Sequence, residues 1–269
     1  MRDFQILTSK SYIKKFQKIT KKIINILDNY LDDPNEKNIH DIRIAIRRLE
    51  GAYRILPKKI RKQSQLQNYI GQSKMLFKIN TEIRDFDIIS GRLDQHFANP
   101  SASRLISSLM IKRKSKIRDA RIIALKLRSF PLPKINKNIP ESKLKKRFCK
   151  TVNELNVRIK QNIPVVLNDD KKIEELHKLR KDFKKLRYTI ELTLSNKKIH
   201  PHIENLKKVQ DTLGEIHDSD IMLDFLKNHK TTNDIEDIIN QEAIERNLKY
   251  KLFVKIFSEQ RFGLAKLIC

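Results

Sequence analysis

The stretch IHDIRIAIRRLEGAYRIL, Ile39 to Leu56, opens on a histidine one residue in and repeats arginine at Arg43, Arg47, Arg48 and Arg54. Apolar residues fill the gaps: Ile42, Ala45, Ile46, Leu49, Ala52 and Tyr53. At about 100° per residue, a helix places Arg43, Arg47 and Arg54 within roughly 60° of His40. Ile42, Ile46, Leu49, Ala52 and Tyr53 cluster on the other side, as a core face should. The opposite face carries cations at nearly every turn and almost no acid. A solvated helix face usually mixes signs, because Glu–Lys pairs at i,i+4 relieve repulsion. Solubility is one reading of the stripe, and binding of an anion is the other.

A second stretch, LHKLRKDFKKLRYTIELT from Leu176 to Thr193, lies on the first without a gap. His40 meets His177, Arg43 meets Arg180, and Arg47 and Arg48 meet Lys184 and Lys185. The core positions Ile42, Ile46, Leu49 and Tyr53 meet Leu179, Phe183, Leu186 and Ile190. The second stripe is His177, Arg180, Lys184 and Arg187, with Lys181 on one flank. A further pair follows in the same order: NTEIRDFDIISGRL (Asn80 to Leu93) matches LGEIHDSDIMLDFL (Leu213 to Leu226). There Asp85 and Asp87 meet Asp218 and Asp220, and Arg84 meets His217. Two matched motifs in one order predict a duplicated scaffold.

Periodicity is helical almost throughout, so the expected fold class is all-α. Helices are expected near 9–31, 36–56, 58–80, 85–97 and 101–128, then near 141–163, 169–195, 201–213, 218–228 and 234–262. Between the two sets, SFPLPKINKNIP (Ser129 to Pro140) has three prolines and reads as a linker. The expected organisation is one domain over 1–269, with a helical half at 1–130, a linker at 131–140 and a second half at 141–269. It amounts to two bundles of about five helices each, related by a pseudo-twofold axis.

Charge narrows the partners. The chain of 269 residues has 58 Lys and Arg against 32 Asp and Glu, a formal net of +26. Such an excess attracts polyanions: nucleic acid, an anionic membrane or a phosphate polymer. Arginine suits phosphate because its planar fork makes bidentate contacts and stays charged. Lys14, Lys18, Lys21 and Lys22 recur at helical spacing in the first helix, and Lys74 matches Lys207. These lysines join the stripes as candidate phosphate contacts. The histidines open two alternatives, contact with the ligand or a structural bond to a carbonyl or acid. The aspartate pairs are expected to cap the following helices or to brace the arginines. No HExxH or Cys/His spacing marks a metal site.

Two distant cysteines, Cys149 and Cys269, form no disulfide framework or CxxC knuckle, which fits a reducing compartment. The N-terminus lacks the long apolar segment of a secretion signal. No run approaches the roughly 20 apolar residues that span a bilayer. The expectation is a soluble, cytoplasmic protein without a membrane partner.

The paired elements IHDIRIAIRRLEGAYRIL and LHKLRKDFKKLRYTIEL, each followed by an aspartate-containing motif (EIRDFD and LGEIHDSD), resemble the CHAD family, the conserved histidine α-helical domain. The likeness spans residues 39 to 226. It departs at NTEIRDFD, where the first half lacks the Leu-Gly of the second, and at Lys184 and Lys185, where lysines replace arginines. The resemblance implies two helical bundles around a basic channel, binding of inorganic polyphosphate, and no catalysis. Carried onto this chain, it implies polyphosphate contacts at His40, Arg43, Arg47, Arg48 and Arg54, and at His177, Arg180, Lys184, Lys185 and Arg187. No cofactor is expected, and association with polyphosphate granules, storage and regulation are open alternatives for its role. Two rivals stand beside it. One is a nucleic-acid-binding protein, although aromatics are only 7% and stacking platforms look scarce. The other is a metal-dependent phosphohydrolase built on the aspartate pairs.

Overall fold

The helix that carries the first stripe begins where Asn35 caps it: the Asn35 side chain accepts from the Asn38 N–H at 2.9 Å, and Glu36 follows in the first turn. Both features satisfy or complement the unpaired N–H groups of a helix start. That helix is α2 (Glu36–Ile55), one of nine in a computed structural model that describes residues 7–96, 100–135, 139–193, 200–229 and 233–259. The others are α1 (Ser9–Asp32), α3 (Lys58–Arg61), α4 (Ser64–His96), α5 (Pro100–Ser129), α6 (Glu141–Asn168), α7 (Ile173–Thr193), α8 (His200–Lys227) and α9 (Asn233–Glu259). The expected all-α class is what the chain adopts. Among the described residues, no helix is long and apolar enough to cross a membrane.

The helices pack in two parallel sequences of contacts. In one, α1 lies on α2, α2 on α4 and α4 on α5; in the other, α6 lies on α7, α7 on α8 and α8 on α9. Across the two sets α2 meets α7, α4 meets α8 and α5 meets α9. These three contacts join the two members of an aligned pair, and α2 also meets α6 and α1 also meets α7. The apolar faces read from the sequence form the main core: Ile39, Ile42, Ile46 and Leu49 of α2 with Leu179, Phe183 and Leu186 of α7. Phe16 and Leu27 of α1 and Phe148 of α6 close it from outside. Burial of each such side chain is worth about 1.5–3 kcal/mol, so this core outweighs the mutual repulsion of the cations on its far side. A smaller cluster around Ile89, Leu93, Met222 and Leu226 joins α4 and α8 to α5 and α9.

Several boundaries differ from the sequence expectation. The predicted breaks near 80–85 and 213–218 do not exist, because α4 and α8 run through both aspartate motifs. Gly214 suggests a turn, yet no described glycine has positive φ. A Cβ there would sit at ordinary contact distance from Arg180, 3.8 Å from Nε and 3.9 Å from Nη2, so the guanidinium lies along this part of α8. Asp85, Asp87, Asp218 and Asp220 therefore lie inside helices and cap nothing. The helix expected at 58–80 divides into α3 and the start of α4. Pro164 lies inside α6, which continues to Asn168 where the sequence suggested a stop. The linker is non-helical over its described residues, 130–135 and 139–140. Cys269 and the expected last turn at 260–262 lie outside the described residues.

One ion pair occurs in both sets. Arg113 Nε of α5 donates to Asp87 Oδ1 of α4 at 2.5 Å, and Arg246 Nε of α9 donates to Asp220 Oδ1 of α8 at 2.5 Å. Asp87 and Asp220 are aligned, and so are their arginines. Burial pushes both carboxyls above their ordinary value, against the pull of the arginine on each. The charge is thus tolerated rather than favoured, and it must be paired. Arg246 also donates to Asp170, at 3.2 Å from the carboxylate and 2.7 Å from the backbone oxygen. Arg113→Met should cost about 3 kcal/mol in urea unfolding by stranding Asp87. The double variant Asp87→Leu/Arg113→Met should recover most of that loss. Arg246→Met should cost more than Arg113→Met. Equal losses in the two single variants would remove the role assigned to Asp170.

Candidate functional site

The stripes of α2 and α7 face one another because the two helices approach closely. A Cβ on Gly51 would lie 3.0 Å from Leu192 Cδ1 and 3.4 Å from Tyr188 Cβ, so only glycine fits the crossing without displacing a neighbour. Beside this crossing, α2, α4, α7 and α8 enclose a cavity of about 380 Å³. Its walls hold Arg43, Arg47, Arg54, Arg84, Arg180, Lys181, Lys184 and Lys185 against the carboxylates Glu50, Asp85 and Asp218. His40, His177 and His217 line it as well.

Packing holds the cations in place. Arg43 is buried; it donates to Thr81 Oγ1 at 2.7 Å, and its guanidinium lies 5.0 Å from the Phe77 ring centre. Arg47 lies over the same ring at 5.1 Å. A cation over an aromatic face is attracted by the ring quadrupole, which partly offsets the repulsion of two neighbouring guanidinium groups. In the second half, Gly214 takes the place aligned with Thr81. Arg180 lies on that glycine, and its buried Nε has no hydrogen-bond partner. A buried, unpaired guanidinium N–H carries a desolvation cost. Lys185 Nζ reaches Asp182 at 2.9 Å.

These like charges depress one another's protonation. Burial, with Arg47 and Arg180 alongside, pulls Lys184 down to about 6. Burial, then Arg47, lowers Arg43 to about 10, so it remains charged at neutral pH. Burial raises Asp85 to about 6, with Asp218 adding and Arg43 opposing. Burial, then Lys181 and Arg180, lowers His177 to about 4, and burial and Arg180 depress His217 further. The two rings meet edge to face, with their Nδ1 atoms 3.1 Å apart. One Nδ1 therefore carries a proton and the other accepts it, so the rings hold opposite tautomers. His40, near the start of α2, is lowered by partial burial and by Arg84.

The placement of the predicted residues is therefore mixed. The structure brings His40, Arg43, Arg47, Arg54, His177, Arg180, Lys181, Lys184 and Lys185 into one cavity. Arg48 points away from it, into a separate groove with Lys18 and Lys22. Arg187 is engaged elsewhere: it donates to Glu191 at 2.6 Å and to Gln210 at 2.9 Å. Lys14, Lys21, Lys74 and Lys207 are exposed and line neither cavity. Asp85 and Asp218 line the cavity, whereas Asp87 and Asp220 hold the outer helices. Sequence reasoning missed His217, Arg84, Phe77 and Tyr188. The aligned pair Arg84/His217 was visible, but only the folded chain shows that both point inward. Among the described residues, no group of three or more His, Cys, Asp or Glu is placed to hold a metal ion.

Comparison with known proteins agrees with the helical fold. The solved structure described as the CHAD domain from the plant Ricinus communis superposes with a TM-score of 0.59 over 95% of this chain and 89% of that one, at 15% identity. No curated protein matches the sequence. The sequence pattern of the CHAD domain matches residues 16–227, a span that contains both stripes, both aspartate motifs and every wall of the cavity. The chain belongs to the CHAD domain family.

Proposed function

We propose that the protein binds inorganic polyphosphate in the cavity between α2, α4, α7 and α8, without catalysis. The observation that carries the reading is the charge of that cavity: eight Lys and Arg side chains face three carboxylates across about 380 Å³. Folding such a wall is unfavourable unless something compensates for the repulsion, and a chain of phosphates does so at close spacing. The reading also accounts for the unpartnered Nε of Arg180. Nucleic acid fits less well. Phe77 and Tyr188, the Phe and Tyr rings that line the cavity, already carry arginines over them, which leaves less of each ring for a base to stack on. The proposed setting is cytoplasmic, in association with polyphosphate granules.

Binding should weaken with salt, because each neutralised phosphate releases counterions. Titration calorimetry with polyphosphate should give tight binding to the native protein. The triple variant Arg47→Gln/Arg180→Gln/Lys184→Gln should bind at least about tenfold more weakly. Unchanged binding by that variant would sink the assignment. Duplex DNA, supplied at equal phosphate concentration, should fail to displace polyphosphate.

Lys184 supplies a test independent of affinity. Its folded-state value lies below its unfolded value, so between about pH 6 and the ordinary lysine range the unfolded chain binds more protons. Native stability from this group therefore rises with pH across that window. Lys184→Met should raise the melting temperature of the free protein by a few degrees at neutral pH and weaken polyphosphate binding.

Bound polyanion restores the Lys184 charge, so binding near pH 7 takes up a proton. Affinity should therefore rise as pH falls toward about 6, where protonation of Asp85 adds to the effect. Calorimetry in buffers of differing ionisation enthalpy measures the uptake directly. A pH-independent affinity with no proton uptake would contradict the electrostatic account of the cavity.

A further inference from the structure

The outward face of α9 carries a regular repeat. Asp237, Gln241, Ile244, Leu248, Lys251 and Lys255 follow one another at alternating spacings of four and three. That is the 3.5-residue period of a two-helix seam, whose positions stay in line as two helices wind about each other. All six side chains are exposed. They lie on the side of α9 opposite Ile235, Ile238 and Phe253, which are buried in the two apolar clusters. Ile244 is 64% exposed and Leu248 61%, with Leu252 beside them at 47%. Large aliphatic side chains at i, i+4 and i+8 form a continuous strip, which is the signature of a contact surface rather than of scattered surface residues.

The polar ends of the seam select what can lie on it. Asp237 stands at one end, Lys251 and Lys255 at the other, and Ile244 and Leu248 between them. A second copy of α9, laid antiparallel about a twofold axis level with residue 246, sets Ile244 of each copy against Leu248 of the other. The same axis sets Gln241 against Lys251 and Asp237 against Lys255. A parallel pairing would instead stack each of these charges on its own kind. Within one chain Lys251 and Lys255 stand at i,i+4, where like charges repel. Among the described residues, none forms an ion pair with Asp237, Lys251 or Lys255. Net charge singles out the same end of the molecule. Of the helices, only α8 and α9 carry more acid than base, six side chains against three and six against four. Elsewhere the excess of cations repels a second copy, and along α9 it does not.

We propose that the protein forms a twofold-symmetric dimer through α9, paired antiparallel about a point between Ile244 and Leu248. The same patch serves both copies, so the contact is isologous and assembly stops at two. From Asp237 to Lys255 the seam is about 27 Å long. No residue of α9 lines the central cavity, so each copy keeps its own cavity, and the inference stands whatever that cavity binds.

Sedimentation velocity of the full chain, at micromolar concentrations and physiological salt, should show a monomer–dimer equilibrium with no larger species. Leu248→Glu puts a carboxylate from each copy at the middle of the seam and should be monomeric throughout. Its helical content should stay native, because Leu248 is exposed. Asp237→Lys faces Lys255 of the other copy with a like charge and should weaken the dimer at least about tenfold, as should Lys255→Asp. The double variant Asp237→Lys/Lys255→Asp should restore association, which only the antiparallel register explains. Ile122→Glu, at an equally exposed position on α5, is the control and should dimerise as the native protein does. A native protein that stays monomeric, a Leu248→Glu variant that still dimerises, or a double variant that fails to recover would each overturn the proposal. Equal loss of the dimer in Ile122→Glu and Leu248→Glu would overturn it as well, since exposed apolar surface in general would then explain association.

Discussion

The close crossing of α2 and α7 is the contact on which the rest depends. Gly51 lets the helices approach until Leu192 and Tyr188 fill the space a side chain would take. The buried faces around Ile42, Ile46, Leu179 and Phe183 supply the attraction. On the other side of the same helices, that attraction forces Arg43, Arg47, Arg180 and Lys184 into one enclosure. Contacts with Phe77, Thr81 and the cavity carboxylates offset part of the repulsion among these cations. The arrangement exists because apolar burial is worth more than the repulsion it creates, and the result is a cavity whose walls carry mostly like charge.

The two halves resolve the same problem differently. In the first, Arg43 has a hydroxyl partner in Thr81 and an aromatic floor in Phe77. In the second, Gly214 replaces the hydroxyl position and Arg180 rests on bare helix with an unpaired Nε. His40 has Arg84 as its neighbour, whereas His177 has a second imidazole in His217. The first half thus holds guanidinium charge that persists at any physiological pH. The second holds groups, Lys184 and the two imidazoles, whose charge depends on what enters the cavity. The two sides of the cavity therefore differ in how firmly they hold their charge.

The outer helices are held by other means. The matched pairs Asp87–Arg113 and Asp220–Arg246 tie α5 to α4 and α9 to α8, away from the cavity. Buried ion pairs add little net stability but penalise any register that leaves one member unpaired. Here they fix the rotation of α4 and α8, and with it the inward direction of Asp85 and Asp218 two residues earlier.

The sequence by itself determined the helical class, the two stripes and the correspondence between them. Those are properties of period and alignment, carried by residues three and four apart such as His40, Arg43 and Arg47. It misjudged the aspartate motifs, because Gly214 reads locally as a turn, whereas α4 and α8 run through both motifs unbroken. It also placed Arg48 and Arg187 with the stripes, since helical spacing cannot tell one side of a crossing from the other. The tertiary structure decided that Arg48 faces a second groove, that Arg187 is engaged by Glu191 and Gln210, and that His217 and Arg84 complete the cavity. The reason is physical: a stripe is a one-helix property, but a site depends on the angle and distance at which four helices meet. Those are fixed by the packing of side chains far apart in sequence.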